Sequence, residues 1–491
     1  MDVEKRLSCD VLVVGGGNAG LVAAIEVKNR GRHVLLIEKA PKAKRGGNSR
    51  FSGGLFRVAL EGENDILPLI EQDRIPKGRL VMEPFTKDTF YNKVIRLSEG
   101  FADRKFTEIF VEKSLETVKW MKDQGLVWDI NPAHVAKLED HLLWPSGVTI
   151  LIANGEGEGL VEMLYGIVEK KGIEVRYETA LMSLVVNSRG KVCGVIAKSP
   201  GGFIQIDAKN VVLSCGGFQA NPEMRRRYLG ENWDLVKLRG TRYDVGDGLQ
   251  AALTIGAQTA GHWGGCHASV VSEDSPMVEA EAVRPIRYSY PLSMVVNRDG
   301  QRFIDEGEDI QPFTYAKFGR NILRQPGMVA FQIFDGKTIP FLRAEYQGVQ
   351  HVESNSLKDL AEQMDINVEG FLKTVKEFNA AITKDRPFIK HRLDGRRTVG
   401  LSPDKTNWAQ EIDTPPYHGY AVVCGLTMTY GGLKTNEKAQ VIDTLDRPIP
   451  GLYAVGEITG GFFYFNYPSG TGLTRGAVMA RIAAAGAATD L

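Results

Sequence analysis

The stretch Asp10-Val-Leu-Val-Val-Gly-Gly-Gly-Asn-Ala-Gly20 decides the fold of this chain, because an apolar strand runs directly into a glycine turn. The residues that follow, Leu21–Arg30, have the apolar spacing of a helix, and a second apolar strand, His33–Glu38, ends in an acid. Strand, glycine turn, helix and terminal acid at these spacings predict a Rossmann-type βαβ unit within an α/β fold.

Each residue type in this unit has a physical reason to be there. Gly15 permits the tight turn, Gly17 lets a pyrophosphate approach the backbone, and Gly20 allows the helix to pack closely. The start of the helix offers amide hydrogens to the phosphates, and Glu38 can accept hydrogen bonds from ribose hydroxyls. The residues predicted to bind the dinucleotide here are Gly15, Gly17, Asn18, Ala19, Gly20, Glu38 and Lys39.

Three further segments favour FAD over NAD as the dinucleotide. They are a glycine-rich loop at Arg45–Gly54, a strand running into glycines at Leu213–Phe218, and a strand ending in Gly456-Glu457. NAD dehydrogenases normally need no such segment near the C-terminus, so the three together indicate a flavoprotein. The further residues predicted to bind FAD are Gly46, Gly47, Asn48, Ser49, Gly53, Gly54, Gly216, Gly217, Gly456, Glu457, Gly472 and Leu473.

Length and composition exclude several classes of function. The 491 residues suffice for two or three domains, and 60 basic residues balance 60 acidic ones, so no nucleic-acid partner is expected. No run of about twenty apolar residues predicts a membrane span. The five scattered cysteines favour the cytoplasm, and His262 and His267 lack the further ligands that a metal site would need.

The pattern of elements changes twice along the chain, and this predicts an interrupted domain. Residues 1–245 are the expected first part of a Rossmann-type FAD-binding domain, and residues 417–491 its second part. Between them, residues 246–416 mix aromatic residues, short strands and helices, which predicts an α+β capping domain that contributes to the substrate site.

With these residues in place, the chain resembles the fumarate reductase/succinate dehydrogenase flavoprotein superfamily over nearly its whole length, and most of all its tricarballylate dehydrogenase branch. The resemblance implies a mobile capping domain, hydride exchange at flavin N5 and tricarballylate as one candidate substrate. Covalent attachment in this superfamily uses a histidine in the segment that matches Arg45–Gly54, which has none here, so the FAD should be non-covalent. The matching stretches are Val14–Ala19, Arg45–Ser49, Arg239–Arg242, Val296–Phe303, Asp305–Asp309 and Gly451–Glu457.

The resemblance also shows where this chain departs from fumarate reductases. In fumarate reductases a histidine and an arginine hold the substrate carboxylates, and the matching positions here are Thr427 and Tyr467. A further arginine donates the proton there, and an ungapped count places Tyr315 near the matching position. A guanidinium binds carboxylate with two parallel hydrogen bonds, and a tyrosine cannot. Fumarate and succinate are therefore poor candidates for the substrate.

Tyr467-Pro468 and the glycines that follow instead look like the loop of 3-ketosteroid Δ1-dehydrogenases, where a tyrosine and a backbone amide polarise a ketone oxygen. The matching amide is that of Gly470, Thr471 or Gly472. We therefore expect Tyr467 to stabilise an enolate while a base takes the α-proton and hydride leaves the β-carbon. Tyr315 is the first candidate for this base and Tyr290 the second, whereas Arg284 and Arg287 could anchor a substrate carboxylate.

The predicted function is thus an FAD-dependent dehydrogenase, or desaturase, of a small cyclic ketone or oxo-carboxylic acid such as 4-oxocyclohexanecarboxylate. One alternative is a tricarballylate dehydrogenase that works with a membrane iron–sulfur partner; another is a 3-ketosteroid dehydrogenase or an enone reductase. The electron acceptor would be a quinone, oxygen or an electron-transfer protein. The direction of the reaction stays open.

Overall fold

The computed structural model describes residues 5–131, 134–280 and 285–490. Contacts between residues divide the chain into two compact units. Unit 1 comprises Met1–Asp234, Gly240–Cys266 and Thr427–Leu491, and unit 2 comprises Leu235–Arg239 and His267–Leu426.

The described residues of both units form strands that range from two to thirteen residues in length. In chain order the strands are β1 (Lys5–Val14), β2 (Val34–Ile37), β3 (Leu55–Arg57), β4 (Leu80–Met82), β5 (Trp128–Ile130), β6 (Ala136–Lys137), β7 (Leu142–Trp144), β8 (Ile150–Ala153), β9 (Glu174–Arg176), β10 (Ala180–Val186), β11 (Val192–Ser199), β12 (Gly202–Leu213), β13 (Lys237–Leu238), β14 (Thr259–Ala260), β15 (Cys266–Ser272), β16 (Met294–Val296), β17 (Val329–Phe334), β18 (Val352–Ser354), β19 (Tyr417–Thr429), β20 (Gly432–Leu433), β21 (Gln440–Ile442) and β22 (Pro448–Ala454).

The helices Asn18–Asn29 and Thr471–Thr489 follow glycine-containing turns. In chain order the helices are α1 (Asn18–Asn29), α2 (Gly47–Arg50), α3 (Glu63–Ile66), α4 (Lys87–Leu97), α5 (Arg104–Gln124), α6 (Glu156–Lys170), α7 (Pro222–Leu229), α8 (Asp247–Thr254), α9 (Tyr315–Leu323), α10 (Leu357–Gln363), α11 (Val368–Ala381) and α12 (Thr471–Thr489).

Unit 1 is organised by an eight-stranded sheet with the order β10-β11-β12-β1-β2-β9, to which β22 is added beside β12 and β21 beside β22. Strands β22, β12, β1 and β2 run parallel, with Ala454 opposite Leu213, Leu213 opposite Val14, and Val14 opposite Ile37. The carboxyl ends of these four strands therefore meet at one edge of the sheet, where α/β proteins bind their ligands.

The strands and the helix of the first βαβ unit are buried in the core of unit 1. Leu12 and Val14 of β1 are buried, together with Leu35 and Ile37 of β2, in one apolar cluster. Helix α1 is buried from Asn18 to Val27 and packs along α12, and both helices are rich in Ala and Gly, which lets their backbones approach.

Unit 2 contains a six-stranded sheet with the order β13-β19-β17-β16, in which β15 and β18 also pair with β19. Helices α10 and α11 cover it, and Phe371, Val375 and Phe378 of α11 pack with Met294 and Ile333 of the sheet. Strand β19 is thus the centre of this unit.

The predicted α/β fold class is confirmed, and the predicted strands at β1, β2 and β12 and helices at α11 and α12 lie where the sequence placed them. Two small sheets of unit 1, β3-β8-β5 and β4-β7-β6, were not predicted, because their strands have two to four residues and little periodicity. Among the described residues no helix is long and apolar enough to cross a membrane.

Candidate flavin site

Two glycines of the first turn, Gly15 and Gly20, lie in places where protein backbone leaves no room for a side chain. Gly15 has a φ of 102°, and a Cβ atom there would lie 2.7 Å from both Cα of Cys215 and the carbonyl oxygen of Ser214. A Cβ atom on Gly20 would overlap the carbonyl oxygen of Gly15. These two glycines therefore serve the packing of β1, α1 and β12.

Gly17 and Gly47 differ from those glycines because a Cβ atom on either would make only ordinary van der Waals contacts. A Cβ atom on Gly17 would come no closer than 3.5 Å, to Ser49 Oγ, and one on Gly47 would be 3.8 Å from Cα of Gly17. Protein crowding at the Cβ position therefore does not require glycine at Gly17 or Gly47. A glycine backbone is what a pyrophosphate needs in order to approach closely.

The start of α1 offers backbone donors at the same place. Gly17, its N-cap, supplies no side-chain cap, and the first backbone bond of the helix runs from the Leu21 amide to the Gly17 carbonyl. The amide of Asn18 donates to Ser49 Oγ at 3.0 Å, which ties the Arg45–Gly54 loop to the helix. The amides of Ala19 and Gly20 precede that first helical bond, so the helix itself does not use them.

Glu38 is buried at the end of β2, and both of its carboxylate oxygens accept backbone amides. Oε2 accepts from Gly16 at 2.8 Å and Oε1 from Ala40 at 2.8 Å. Burial raises the pKa of Glu38, against these amide bonds, which lower it. Each oxygen keeps lone-pair capacity for a ribose hydroxyl. Lys39, also predicted to contact the cofactor, forms an ion pair with Asp247 at 2.6 Å.

The glycine-rich loop Arg45–Gly54 is fixed by Asn48, which bridges two distant segments of unit 1. Its Oδ1 accepts from the Thr241 amide at 2.9 Å, and its Nδ2 donates to the Thr427 carbonyl at 2.5 Å. Gly46 has a φ of 107° and lies against Val161, where a Cβ atom would be 2.5 Å from Cγ1. Gly54 lies equally close to the backbone of Glu156, and Gly53 has only ordinary contacts.

Gly217 lies in a group of buried acids and amides at the end of β12. A Cβ atom there would be 2.6 Å from Glu457 Oε1. Gln219 Nε2 donates to Asp244 at 2.8 Å and to Glu457 at 3.2 Å, and a Cβ atom on Gly216 would lie against the same Asp244. Burial raises the pKa of Asp244, and burial raises that of Glu457 to about 7. The predicted segments Leu213–Phe218 and Gly456-Glu457 are thus brought together.

The start of α12 completes the arrangement. Asn18 Nδ2 donates to the Leu473 carbonyl at 2.9 Å, and a Cβ atom on Gly476 would lie 3.5 Å from Ala19 Cβ. A Cβ atom on Gly456 would be 3.0 Å from Ala19 as well. The N-termini of α1 and α12 therefore lie side by side, with Gly456 next to them.

These residues fit FAD. Asn18 Oδ1 and Gln219 Oε1 are buried acceptors without a hydrogen-bond partner, and both lie among the predicted cofactor residues. Ribose and ribityl hydroxyls are donors that suit such acceptors. The open backbones of Gly17 and Gly47 and the amides at the start of α1 suit a pyrophosphate.

Comparisons with known proteins support FAD as the cofactor. A family model described as an FAD binding domain matches residues 10–473. A probable fumarate reductase of Shewanella frigidimarina is 30% identical over 493 residues, which cover 97% of this chain and 74% of that protein. The chain belongs to the fumarate reductase family of FAD-binding flavoproteins.

Solved structures of this family extend the comparison. The open form of a flavocytochrome c3 fumarate reductase superposes with a TM-score of 0.74 at 26% identity, covering 99% of this chain and 79% of that one. A 3-ketosteroid delta1-dehydrogenase from Sterolibacterium denitrificans has a TM-score of 0.75 at 21% identity and covers 99% and 100%, which shows the shared fold. The predicted superfamily and its FAD cofactor are confirmed, whereas the tricarballylate branch stays a prediction.

In this flavoprotein the hydroxyl of Tyr467 is buried at the start of α12. It accepts the amide hydrogen of Gly472 at 2.8 Å, and the hydroxyl of Thr471 lies against it. Burial raises the pKa of Tyr467, so the phenol is protonated at neutral pH. The sequence offered the amides of Gly470, Thr471 and Gly472 as partners of Tyr467 in polarising a ketone. In the structure the Gly472 amide donates to the Tyr467 hydroxyl itself.

Aromatic rings surround Tyr467 in the same unit. Phe463 packs edge-on against it at 4.9 Å between ring centroids, and the Arg475 guanidinium lies 4.2 Å from the Phe462 ring. Arg475 donates to the Gly456 carbonyl at 2.6 Å, so its guanidinium is bonded to the predicted flavin-binding segment Gly456-Glu457. Thr427 is tied to that site through its carbonyl by Asn48.

Unit 2 holds Tyr315 at the first residue of α9, where its buried ring meets two others. The His267 ring lies 4.9 Å away and the Tyr288 ring 5.0 Å away, both edge-on. Burial, and secondly the charge of Arg239, lower the pKa of His267 to about 3. Burial raises the pKa of Tyr288, and Arg239 lowers it. Tyr288 was not predicted as a candidate, although it lies two residues before Tyr290 and directly after Arg287.

Tyr290 is a core residue of unit 2. Its ring is fully buried against Phe318 at 4.1 Å, and its hydroxyl bonds to Thr314 Oγ1 at 2.5 Å. Burial raises its pKa well above the usual value, which opposes the phenolate that a base requires. Arg287 is buried too, with Nη1 donating to the Ile286 carbonyl at 2.7 Å, and Arg284 lies outside the described residues.

Proposed function

We propose that this flavoprotein oxidises or reduces a carbon–carbon bond next to a carbonyl, with Tyr467 holding the carbonyl oxygen. The observation that carries the proposal is the buried hydroxyl of Tyr467, which is bonded to the Gly472 amide at the end of the flavin site. FAD, when bound, supplies the hydride acceptor or donor.

The protonated phenol of Tyr467 is suited to donate to an oxygen whose negative charge grows in the transition state. Because burial raises its pKa, the hydroxyl keeps its proton at neutral pH. The amide of Gly472 donates to the phenol oxygen of Tyr467. This hydrogen bond orients the phenol and makes its own hydrogen a better donor. Such a fixed donor stabilises an enolate without reorganisation.

We assign the proton transfer at the α-carbon to Tyr315. Its ring packs against His267, which stays neutral because burial and the charge of Arg239 lower its pKa to about 3. Tyr290 stays the second candidate, and Tyr288, whose ring lies 5.0 Å from that of Tyr315, is a third. Burial raises the pKa of both phenols, and the charge of Arg239 opposes this rise at Tyr288. The direction of the transfer sets whether Tyr315 takes or gives the proton.

The substrate that suits these groups is a small cyclic ketone or oxo acid. The phenol Tyr467, with the Phe463 ring packed against it, lies where the resemblance to fumarate reductases expects a carboxylate-binding arginine. The neighbouring cation, Arg475, lies 4.2 Å from the Phe462 ring and donates to the Gly456 carbonyl. We therefore place 4-oxocyclohexanecarboxylate ahead of tricarballylate. A quinone, oxygen or an electron-transfer protein is the proposed acceptor, and the cytoplasm the proposed location.

The test is an anaerobic screen for bleaching of the bound flavin. We expect 4-oxocyclohexanecarboxylate, or the corresponding enone with the reduced enzyme, to change the flavin spectrum within the time of mixing. Tricarballylate, succinate and a 3-ketosteroid are the competing substrates. Fast bleaching by succinate or tricarballylate alone would reject the carbonyl proposal.

The role of Tyr315 has its own measurement. With the substrate bound to oxidised enzyme in deuterated solvent, the α-proton should exchange, and Tyr315→Phe should abolish that exchange while the flavin stays bound. Tyr346→Phe is the matched control, because Tyr346 is another buried phenol of unit 2 whose hydroxyl donates to Gln332 Oε1 at 2.6 Å. Exchange that survives in Tyr315→Phe would exclude Tyr315 as the base.

A further inference from the structure

Unit 2 carries two histidines and a glutamate on one face of its sheet, outside every residue used above. Glu353 of β18 lies directly opposite His418 of β19 in the antiparallel register. His351 precedes Glu353 by two residues, and side chains two residues apart in an extended segment project to the same face. Three potential metal ligands therefore converge from adjacent segments.

The ligand atoms of these three side chains lie close enough to reach one metal ion. One ring nitrogen of His351, one of His418 and a carboxylate oxygen of Glu353 all lie within 4.8 Å of one another. His418 Nε2 is 3.1 Å from Glu353 Oε2, and the two imidazole centroids are 4.6 Å apart. Tetrahedral zinc with bonds of about 2.0–2.1 Å sets its ligand atoms roughly 3.3 Å apart, so small rotations suffice.

The orientation of His351 also suits metal binding. Its Nδ1 lies 3.0 Å from the Val349 carbonyl oxygen, which can only accept, so Nδ1 carries the proton and Nε2 keeps the lone pair. Metal-binding histidines generally donate their second nitrogen to a carbonyl or carboxylate in this way. The His351 ring is also stacked on Tyr420 at 5.1 Å, which restricts its plane.

His418 is suited to be the second imidazole ligand. Its side chain is 14% exposed. Neutral imidazole is the form that binds metals, and Glu353 supplies the negative charge that favours a cation over a bare pair of histidines.

We propose that His351, Glu353 and His418 form a binding site for a divalent transition-metal ion of the zinc class, with three protein ligands. Two imidazoles and one carboxylate select zinc, copper or nickel over calcium and magnesium, which take oxygen ligands. The metal would connect the three-residue edge strand β18 to β19 at the centre of unit 2. The proposal is independent of the reaction proposed above.

The test is zinc titration of the flavin-loaded protein after removal of metals with a chelator. We expect one high-affinity zinc per chain by calorimetry and a rise in the unfolding temperature with added zinc. Loss of an outer-shell partner typically weakens metal binding about 10–100-fold, so His351→Ala and His418→Ala should each cost at least that. The matched control is His141→Ala, because His141 lies 2.6 Å from Asp140 in another histidine–carboxylate pair.

A second measurement locates the ion without any substitution. Copper with ascorbate oxidises the side chains that bind it, and peptide mass spectrometry of the wild-type protein should find oxidation at His351 and His418 before His141 or His33. Zinc affinity that is unchanged in His351→Ala and His418→Ala would overturn the proposal. Oxidation spread evenly over the exposed histidines would overturn it as well.

Discussion

The amide nitrogen of Gly472 lies 2.8 Å from the hydroxyl oxygen of Tyr467, to which it donates a hydrogen bond across the first turn of α12. This turn begins after Gly470, which offers no side-chain cap. The Tyr467 hydroxyl therefore satisfies a backbone donor that the helix leaves unpaired, whatever it does in catalysis. The two roles predict different losses and can be measured separately.

Replacing Tyr467 with Phe removes both roles. Loss of one oxyanion donor typically costs about a hundred- to a thousand-fold, and since the contact forms fully only in the transition state, kcat and kcat/KM should fall together. Loss of a helix cap should lower stability by about 1 kcal/mol, measured by urea unfolding. The flavin should stay bound with an unchanged spectrum.

The control is Tyr464→Phe. Tyr464 is near Tyr467 in the chain, and its ring stacks on that of His262 with 5.9 Å between the centroids. Its activity should stay near that of the wild type. A Tyr467→Phe enzyme that loses the same small stability increment but keeps its kcat would leave Tyr467 as a helix cap alone.

Fumarate and succinate should be turned over negligibly. Thr427 and Tyr467 occupy the positions that the resemblance to fumarate reductases gives to the carboxylate-binding histidine and arginine, and Arg475 nearby is bonded to the Gly456 carbonyl. A neutral hydroxyl or phenol cannot replace a bidentate guanidinium. Reduction of fumarate by viologen-reduced enzyme checks this, with a true fumarate reductase as the positive control. Rapid fumarate reduction would show that carboxylates are held elsewhere.

The glycines and the acid of the predicted flavin site could be picked out from the sequence because backbone geometry requires them. Gly15 and Gly20 must be glycine where β1, α1 and β12 pack, and Glu38 must follow β2 to reach the turn. Such requirements leave a local pattern that a single sequence displays. The parallel pairing of β1 with β12 then carries Gly216 and Gly217 to the same edge.

The surroundings of the tyrosines could not be predicted in the same way. The contact of Tyr315 with His267, and the bond of Tyr290 to Thr314, join residues about 50 and 24 positions apart that share no periodic pattern. The burial that raises the pKa of Tyr290 is likewise a property of the packed core of unit 2. Lys39 was expected at the cofactor, and only the fold reveals that Asp247 pairs with it.

The stability of the protein should fall as the pH drops below about 6.5, in part because of His267. Burial and the charge of Arg239 lower the pKa of His267 from 6.5 to about 3 in the folded state. Between these values the unfolded chain binds a proton that the folded chain does not, so this group favours unfolding as the pH falls. The slope is at most about 1.4 kcal/mol per pH unit.

The variant His267→Asn cannot titrate, so its unfolding free energy should decline less steeply between pH 6.5 and 4 than that of the wild type. Urea midpoints across this range measure the slopes. His33→Asn, at an exposed position, serves as the control and should keep the wild-type slope. Equal slopes for His267→Asn and the wild type would show that His267 is protonated in the folded protein.

The FAD should be released intact by acid or heat. The Arg45–Gly54 loop, which the resemblance matches to the segment used for covalent attachment, contains no histidine. Its polar side chains Asn48 and Ser49 are bonded to Thr241 and Asn18. Acid precipitation followed by chromatography of the supernatant should recover FAD in an amount equal to that bound. Flavin absorbance that stays with the washed pellet would reveal a covalent bond at another residue.

A pair of alanine substitutions in the first turn should separate folding from flavin binding. At Gly17 a Cβ atom meets nothing closer than 3.5 Å, and the backbone has an ordinary φ of −79°. The variant Gly17→Ala should therefore fold, with at most a small loss at the helix N-cap, but its methyl group enters the space where the pyrophosphate must approach the backbone. We expect soluble, colourless protein that binds added FAD at least about ten-fold more weakly, a cost of about 1.4 kcal/mol.

Gly15→Ala should behave differently because the same atom would lie 2.7 Å from the backbone of Ser214 and Cys215, at a φ of 102°. Here β1 and β12 must separate, so the variant should be unfolded or insoluble with or without FAD. The contrast is the measurement: unfolding curves of both apoproteins, and flavin fluorescence titration of whichever folds. If Gly17→Ala binds FAD as tightly as the wild type, the pyrophosphate does not contact Gly17. The backbone donors of the site would then lie in the Gly47 loop and at the start of α12.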